Sequence, residues 1–192
     1  MSKKFLFGLI LFCSILVSYT MIFAQKSIET PQNEEKFKNE YEADSFDFPV
    51  GKSKAEGYYN AQKFGDNNHL GEDWNGVGGG NTDYGDSIFS AANGLVLFAK
   101  DIKGGWGKVI RIKHKYKGKY YETLYAHCSK MKVMKGDWIK KGTHIGNIGD
   151  CDGKYKAHLH FELRDSLKMP IGGGYSSDNK GYMNPTEFMS NN

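Results

Sequence analysis

The chain is poor in three things: net charge, cysteine and helical periodicity. Its 192 residues carry a formal charge of only +4, too small a surplus to form the continuous basic face that nucleic acid requires, so no such partner is expected. Of the three cysteines, Cys13 lies in an apolar N-terminal run. Cys128 and Cys151 remain, and they suit a disulfide in an oxidising compartment or two buried thiols equally well. Beyond residue 48 no stretch sustains the repeat of an amphipathic helix, which argues against a helical bundle. The glycine-rich segment "GVGGGNTDYG", 76–85, is followed by no Lys-Ser or Lys-Thr pair, so it is not a phosphate-binding loop. It reads instead as one wall of a groove.

What is present falls into three segments. Residues 1–24 open with Lys3 and Lys4, continue through "FLFGLILFCSILVSYTMIF" and end at the small residue Ala24, the pattern of a secretory signal. The apolar run also approaches the ~20 residues that span a bilayer, so an uncleaved anchor is the competing reading. Cleavage is expected. It leaves an exported chain (periplasm, cell envelope or medium) with no stable membrane insertion, and loss of Lys3 and Lys4 lowers the charge from +4 to +2. Residues 25–47 hold seven acids against three lysines, few aliphatics and no glycine, and read as an acidic polar leader, a solvated tether. From Phe48 the composition turns to aromatics, glycines and β-branched residues, so residues 48–192 are expected to form the domain.

That domain has an all-β texture. In "GKVIRIKHKYKGKYYETLYAHCS", Val109, Arg111 and Lys113 alternate with Ile110, Ile112 and His114, and Gly118 marks a turn into a second strand over 120–128. Asn93-Gly94 between apolar segments predicts a hairpin. Lys135-Gly136 and Lys141-Gly142 predict further turns. Twenty-four glycines at turn-like spacing point to a compact antiparallel β-sandwich or barrel with long loops.

The histidines carry the chemical signal. "KAHLHFEL", 156–163, read as a strand, puts His158 and His160 on one face and Leu159, Phe161 and Leu163 on the other. A polar solvent face would explain this, and so would a strand presenting two imidazoles to a metal. His69 stands four residues before Asp73 in "NNHLGEDWNG", within reach of one ion, and His127 ends "TLYAH". Two histidines and an aspartate suit a zinc shell with a position left for water. Each piece alone has a blander reading, as a surface pair or a loop hydrogen bond. Together, and in this order, they favour a metal site. His114 and His144 belong to no motif and are expected to face solvent.

The series "HLGED", "YAH" and "HLHFEL" resembles the lysostaphin/LytM family of zinc endopeptidases, which cut peptide cross-links in bacterial cell walls. "GDSIFSAANGLVLFA", "KGDWIKKGTHIGNIG" and "MNPTEFM" extend the resemblance over roughly residues 48–190. It implies a lysostaphin-like β fold built on a duplicated hybrid motif, with loops around a zinc groove. It implies His69, Asp73 and His160 as ligands of Zn2+, and His127 and His158 as catalytic histidines beside the metal. The family also uses a tyrosine near the oxyanion, for which Tyr58 or Tyr59 is the nearest candidate upstream of His69. Cys128 departs from the aliphatic or Met residue usual after the histidine, and alternation turns it away from the metal toward a structural role. Cys151 stands where the family has small hydroxyl residues near the groove. Glu162 shares the histidine face, as a supporting residue or a solvated one.

The chemistry follows from the residue types. Zinc lowers the pKa of a bound water to about 7 and polarises an amide carbonyl. One imidazole takes the water's proton and passes it to the leaving amine, while the second holds the developing oxyanion. The sequence does not divide these roles between His127 and His158. The expected function is an exported, monomeric zinc metalloendopeptidase hydrolysing peptide cross-links of peptidoglycan. The alternative is a non-catalytic relative that binds and regulates another cell-wall hydrolase. Such relatives lose metal ligands, whereas this chain keeps all five candidate residues.

Overall fold

Alternating apolar residues become strands here, and the longest alternations lie at the centre of the sheet. The computed structural model describes residue 35 and residues 40–51 and 53–192; the expected signal and most of the leader lie outside them. Ten strands follow in chain order: β1 (Tyr58–Gln62), β2 (Glu72–Gly76), β3 (Ser87–Phe89), β4 (Gly94–Asp101), β5 (Lys108–Tyr116), β6 (Lys119–Met131), β7 (Trp138–Ile139), β8 (His144–Ile148), β9 (Leu159–Arg164) and β10 (Tyr182–Met183). A short helix, α1 (Pro185–Asn191), starts at the N-cap Asn184, whose side chain accepts the Glu187 N–H. Among the described residues no helix is long and apolar enough to cross a membrane.

The sheet runs β1-β2-β9-β6-β5-β4-β7, with β10 on β9 and β8 joining β3 to β6. All of these pairings are antiparallel. The all-β antiparallel class is the expected one, and the path does not rejoin itself, so the sheet stays open. Lys117-Gly118 closes the β5–β6 hairpin with Tyr116 opposite Lys119, as Gly118 predicted. Asn93-Gly94 does not make a hairpin. β3 pairs with β8, while β4 pairs with β5 and β7. Gly94 answers a different demand: a Cβ there would lie 2.4 Å from the Lys113 carbonyl oxygen, so only glycine allows that backbone approach.

Strand β9 is buried on both faces. Leu159, Phe161 and Leu163 join the main core with Ile110, Ile112 and Tyr125, while His160, Glu162 and Arg164 on the opposite face are buried as well. His114 also departs from the solvent-facing expectation. It is 0% exposed, with Nδ1 2.8 Å from the Asn93 carbonyl and Nε2 2.8 Å from the Thr123 hydroxyl. The cause is its face, shared with buried Ile110 and Ile112. His144 is half-buried on β8. Cys128 and Cys151 are both free and buried, and Cys128 packs in the main core.

Packing begins before Phe48. Ala43 and Phe46 are buried, and the Phe46 ring meets His114, Tyr116 and Phe188 edge-on at 5.3, 5.5 and 5.1 Å. The Ala43 N–H donates to Lys115 and that of Asp47 to Ala91, both at 2.8 Å. The end of the acidic segment is therefore part of the domain, because one aromatic and one small residue suffice to dock it despite its charge.

Candidate functional site

Register across the sheet decides which side chains meet. Asp73 on β2 lies opposite His160 on β9, and Ala126 and Leu124 on β6 lie opposite His160 and Glu162. Directly paired residues share a face, so one side of the sheet gathers Asp73, His160, Glu162 and Arg164. His69 arrives from the loop before β2, bridged to Tyr175. That loop must pass close over β9. A Cβ on Gly71 would come within 2.6 Å of the Phe161 carbonyl oxygen and 2.9 Å of the His160 ring.

His69 Nε2 and His160 Nδ1 face each other at 3.1 Å, and they approach Asp73 Oδ1 to 3.5 and 2.9 Å. The three ligand atoms lie within 4.8 Å of one another. Two nitrogens and a carboxylate oxygen converging on one point fit zinc, whose catalytic sites use such donors and leave a position open. Burial opposes charging of His160, yet its hydrogen bonds to Asp73 and Glu162 outweigh that and raise it to about 9. Burial would raise Asp73, but the His160 hydrogen bond and the neighbouring histidines bring it below the usual carboxylate value. Burial lowers His69, favouring the neutral, ligating ring. The carboxylates of Asp73 and Glu162 thus favour a positive charge at this point, carried by a proton on His160 or by a cation in its place.

Behind the ligands stands a buried support. His160 Nε2 lies 3.1 Å from Glu162 Oε1, the carboxylate–histidine pairing that orients metal ligands. Arg164 holds the other oxygen of Glu162 at 2.8 and 2.5 Å. Glu162 is 0% exposed, so it supports the site and is not solvated.

His127 reaches the groove through an irregularity that alternation does not contain. Lys108 pairs with Cys128 and Ile110 with Tyr125, so Ala126 and His127 together oppose the single residue Val109, a β-bulge. His127 takes a left-handed φ of 60°, unusual for a residue with a Cβ. Regular alternation would send its ring into the core beside Tyr125. The bulge instead brings it 4.7 Å from the His158 ring and 5.6 Å from that of His160, and returns Cys128 to the core. Burial, then the nearby His160 and His158, pushes His127 down to about 3. His158 Nδ1 donates to the Lys156 carbonyl at 2.7 Å, which turns Nε2 toward Asp73 Oδ2 at 3.8 Å.

Asp73, His127, His158 and His160 line a cavity of about 500 Å³ walled by Trp106, Tyr155, Tyr175 and Gly173–Gly174, and His69 lies buried against His160 at its edge. The five sequence candidates meet here, but the tyrosines and the glycine wall differ from expectation. Tyr58 donates to Asp86 at 2.7 Å, and neither it nor Tyr59 lines the cavity. Tyr175 instead lies 5.0 Å from the His69 ring and donates to Gln62 Oε1 at 2.9 Å. Residues 76–85 are not a wall; Asn81 Oδ1 accepts the Ala157 N–H at 2.9 Å and braces the approach to His158. Tyr175 and Gly173–Gly174 lie in irregular chain without a motif, and tertiary contacts bring them here: the bridge from His69 to Tyr175 and the backbone bonds from Leu70 to Gly174 and from Ser176 to Asn68.

Residues 68–181 match the model of Peptidase family M23. Lipoprotein NlpD of Yersinia enterocolitica is 38% identical over 80 residues, 42% of this chain and 78% of that protein. The peptidoglycan DD-endopeptidase ShyB of Vibrio cholerae is 37% identical over 93 residues, 40% of this chain and 22% of its own length. The murein hydrolase activator NlpD of Escherichia coli K12 is 35% identical over 80 residues, 42% of this chain and 20% of that protein. The solution structure of lysostaphin aligns with a TM-score of 0.55 at 23% identity, covering 70% of this chain and 51% of that one, a likeness of fold.

Proposed function

Because the chain belongs to peptidase family M23, we propose that it is an exported zinc metalloendopeptidase acting on peptide cross-links of peptidoglycan. The observation that carries this reading is the meeting of Asp73, His160, His127 and His158 at one open groove, with His69 buried against His160 and Asp73. Zinc held by His69, Asp73 and His160 would supply Lewis acidity toward the scissile carbonyl and acidify water beside it. The remaining work belongs to the chain. His158 spends Nδ1–H on the Lys156 carbonyl, so its free nitrogen, Nε2, is the atom that accepts or returns a proton in the groove. His127 is buried and neutral, and it faces the same space. As the water oxygen bonds to the carbonyl carbon, one imidazole takes its proton; as the C–N bond breaks, that proton goes to the leaving amine. Trp106, Tyr155 and Tyr175 provide apolar walls that hold the peptide and limit water.

The substrate class draws on the similarity to ShyB, a peptidoglycan DD-endopeptidase. The Escherichia coli relative, a murein hydrolase activator, favours a second reading in which the chain binds and regulates another hydrolase. A groove with every ligand in place supports the first. Digestion of defined muropeptide dimers, read by mass spectrometry beside zinc analysis, tests it. The full chain is expected to hold about one zinc and to cleave the cross-link. His69→Ala, Asp73→Ala and His160→Ala lose both properties. His127→Ala and His158→Ala keep zinc and lose about 10²–10⁴-fold in turnover. A zinc-loaded chain that cleaves no dimer, yet raises the activity of an added hydrolase, would establish the second reading instead.

A further inference from the structure

Cys151 is left without a role by the ligands and the support behind them. It sits in the connection between β8 and β9, at a left-handed φ of 54° followed by Asp152 at 58°, and its side chain is buried. Its sulfur lies 3.1 Å from His127 Nδ1 and 3.2 Å from the Gly105 carbonyl oxygen. The next carbonyl along, that of Trp106, accepts the backbone N–H of His127 at 3.1 Å. His127 is therefore held at both its backbone and its ring by one short loop and the thiol lodged against it.

Proton counting decides the direction of the chain. A carbonyl only accepts, and a thiol has one proton to give. With S–H directed to Gly105, the sulfur faces His127 with a lone pair, and the contact is favourable only if Nδ1 carries the ring proton. Burial, then the charges of Asp152 and Asp150, raises the thiol to about 11, so the S–H is retained around neutral pH. We propose that Cys151 is a positioning residue for His127, accepting from Nδ1–H and donating to Gly105, so that Nε2 is presented unprotonated to the groove. His158 reaches the same state by a different device, Nδ1–H donating to the Lys156 carbonyl. Both imidazoles thus offer Nε2 to the same space. The catalytic consequence rests on His127 acting in proton transfer; the tautomer does not.

Nitrogen-15 NMR of histidine-labelled full-length chain, with and without zinc, reads the tautomer directly. The expected spectrum has His127 Nδ1 protonated and Nε2 bare. Cys151→Ser keeps both hydrogen bonds and is expected to keep this tautomer, with kcat within about threefold of the original on muropeptide dimers. Cys151→Ala and Cys151→Val are expected to shift the ring toward Nε2–H and to lower kcat by about 10- to 100-fold, with KM and zinc content unchanged. A wild-type His127 protonated at Nε2 would overturn the proposal, as would an alanine variant with unaltered tautomer and kcat. If the wild type cleaves no dimer yet shows Nδ1–H that Cys151→Ala abolishes, the hydrolase reading fails and the positioning role stands.

Discussion

Histidine serves opposite ends in this molecule, and the difference lies in what each ring nitrogen touches. His69 and His160 point nitrogens at each other and at Asp73, an arrangement that suits a cation. His114 points both nitrogens at neutral partners in the core, and burial pushes it down to about 4. Its folded pKa lies below the usual 6.5, so the unfolded chain takes up a proton first as the pH falls. Stability held above about 6.5 is therefore lost progressively between there and about 4, by up to roughly 3 kcal/mol from this group. His114→Asn can keep a hydrogen bond to the Asn93 carbonyl and has nothing to titrate. Urea unfolding at pH 7 and pH 4.5 should show a smaller acid-induced loss in the variant than in the original chain. Equal losses would mean that His114 charges as readily folded as unfolded.

At the level of elements, β9 and β6 do the positioning. The polar face of β9 is a charge network: Arg164 contacts Glu162, Glu122 and the carbonyls of Pro170 and Ile171. Arg111 contacts Glu122 and the Met169 carbonyl. Two arginines and two glutamates thereby pin the segment that leads to the Gly173–Tyr175 wall, while Glu162 steadies His160. Removing one member of such a network costs more than the network itself contributes, because it leaves a buried charge alone. Arg164→Met is expected to cost about 3–5 kcal/mol in urea unfolding. In competition with a chelator, it should also weaken zinc binding by about 10- to 100-fold through the loosened Glu162–His160 pair. Unchanged stability would show that the network contributes no more than a methionine of similar size.

On the scale of the whole molecule, the domain reaches back past the change in composition. Ala43 pairs with Lys115 through the backbone, and Phe46 lies among Tyr116, Tyr121 and Phe188. A chain beginning at Phe48 is expected to be less stable than one beginning at Glu40 by about 3–5 kcal/mol, the usual cost of losing a buried phenylalanine. Urea midpoints of the two chains measure this. Equal midpoints would show that the segment rests on the domain without stabilising it.

Much of this was legible in the chain itself. Alternation along 109–116 and 159–163 and the turn at Gly118 are local properties, so they announced antiparallel strands. The spacing of His69, Asp73, His158 and His160 carried the metal signal because strand period and loop length set which residues share a face. The solvent-facing expectation for His114 failed, although its parity with Ile110 and Ile112 was a local signal that it points inward. Other features depended on partners distant in the chain. Pairing chose β8 for β3, against the local signal at Asn93-Gly94. A bulge facing Val109 turned His127 out of the core. The bridge from His69 to Tyr175 brought a remote tyrosine to the groove, and the β8–β9 connection set Cys151 against His127. Strand register and close packing of distant segments decide such contacts, and neither is encoded in any single window of sequence.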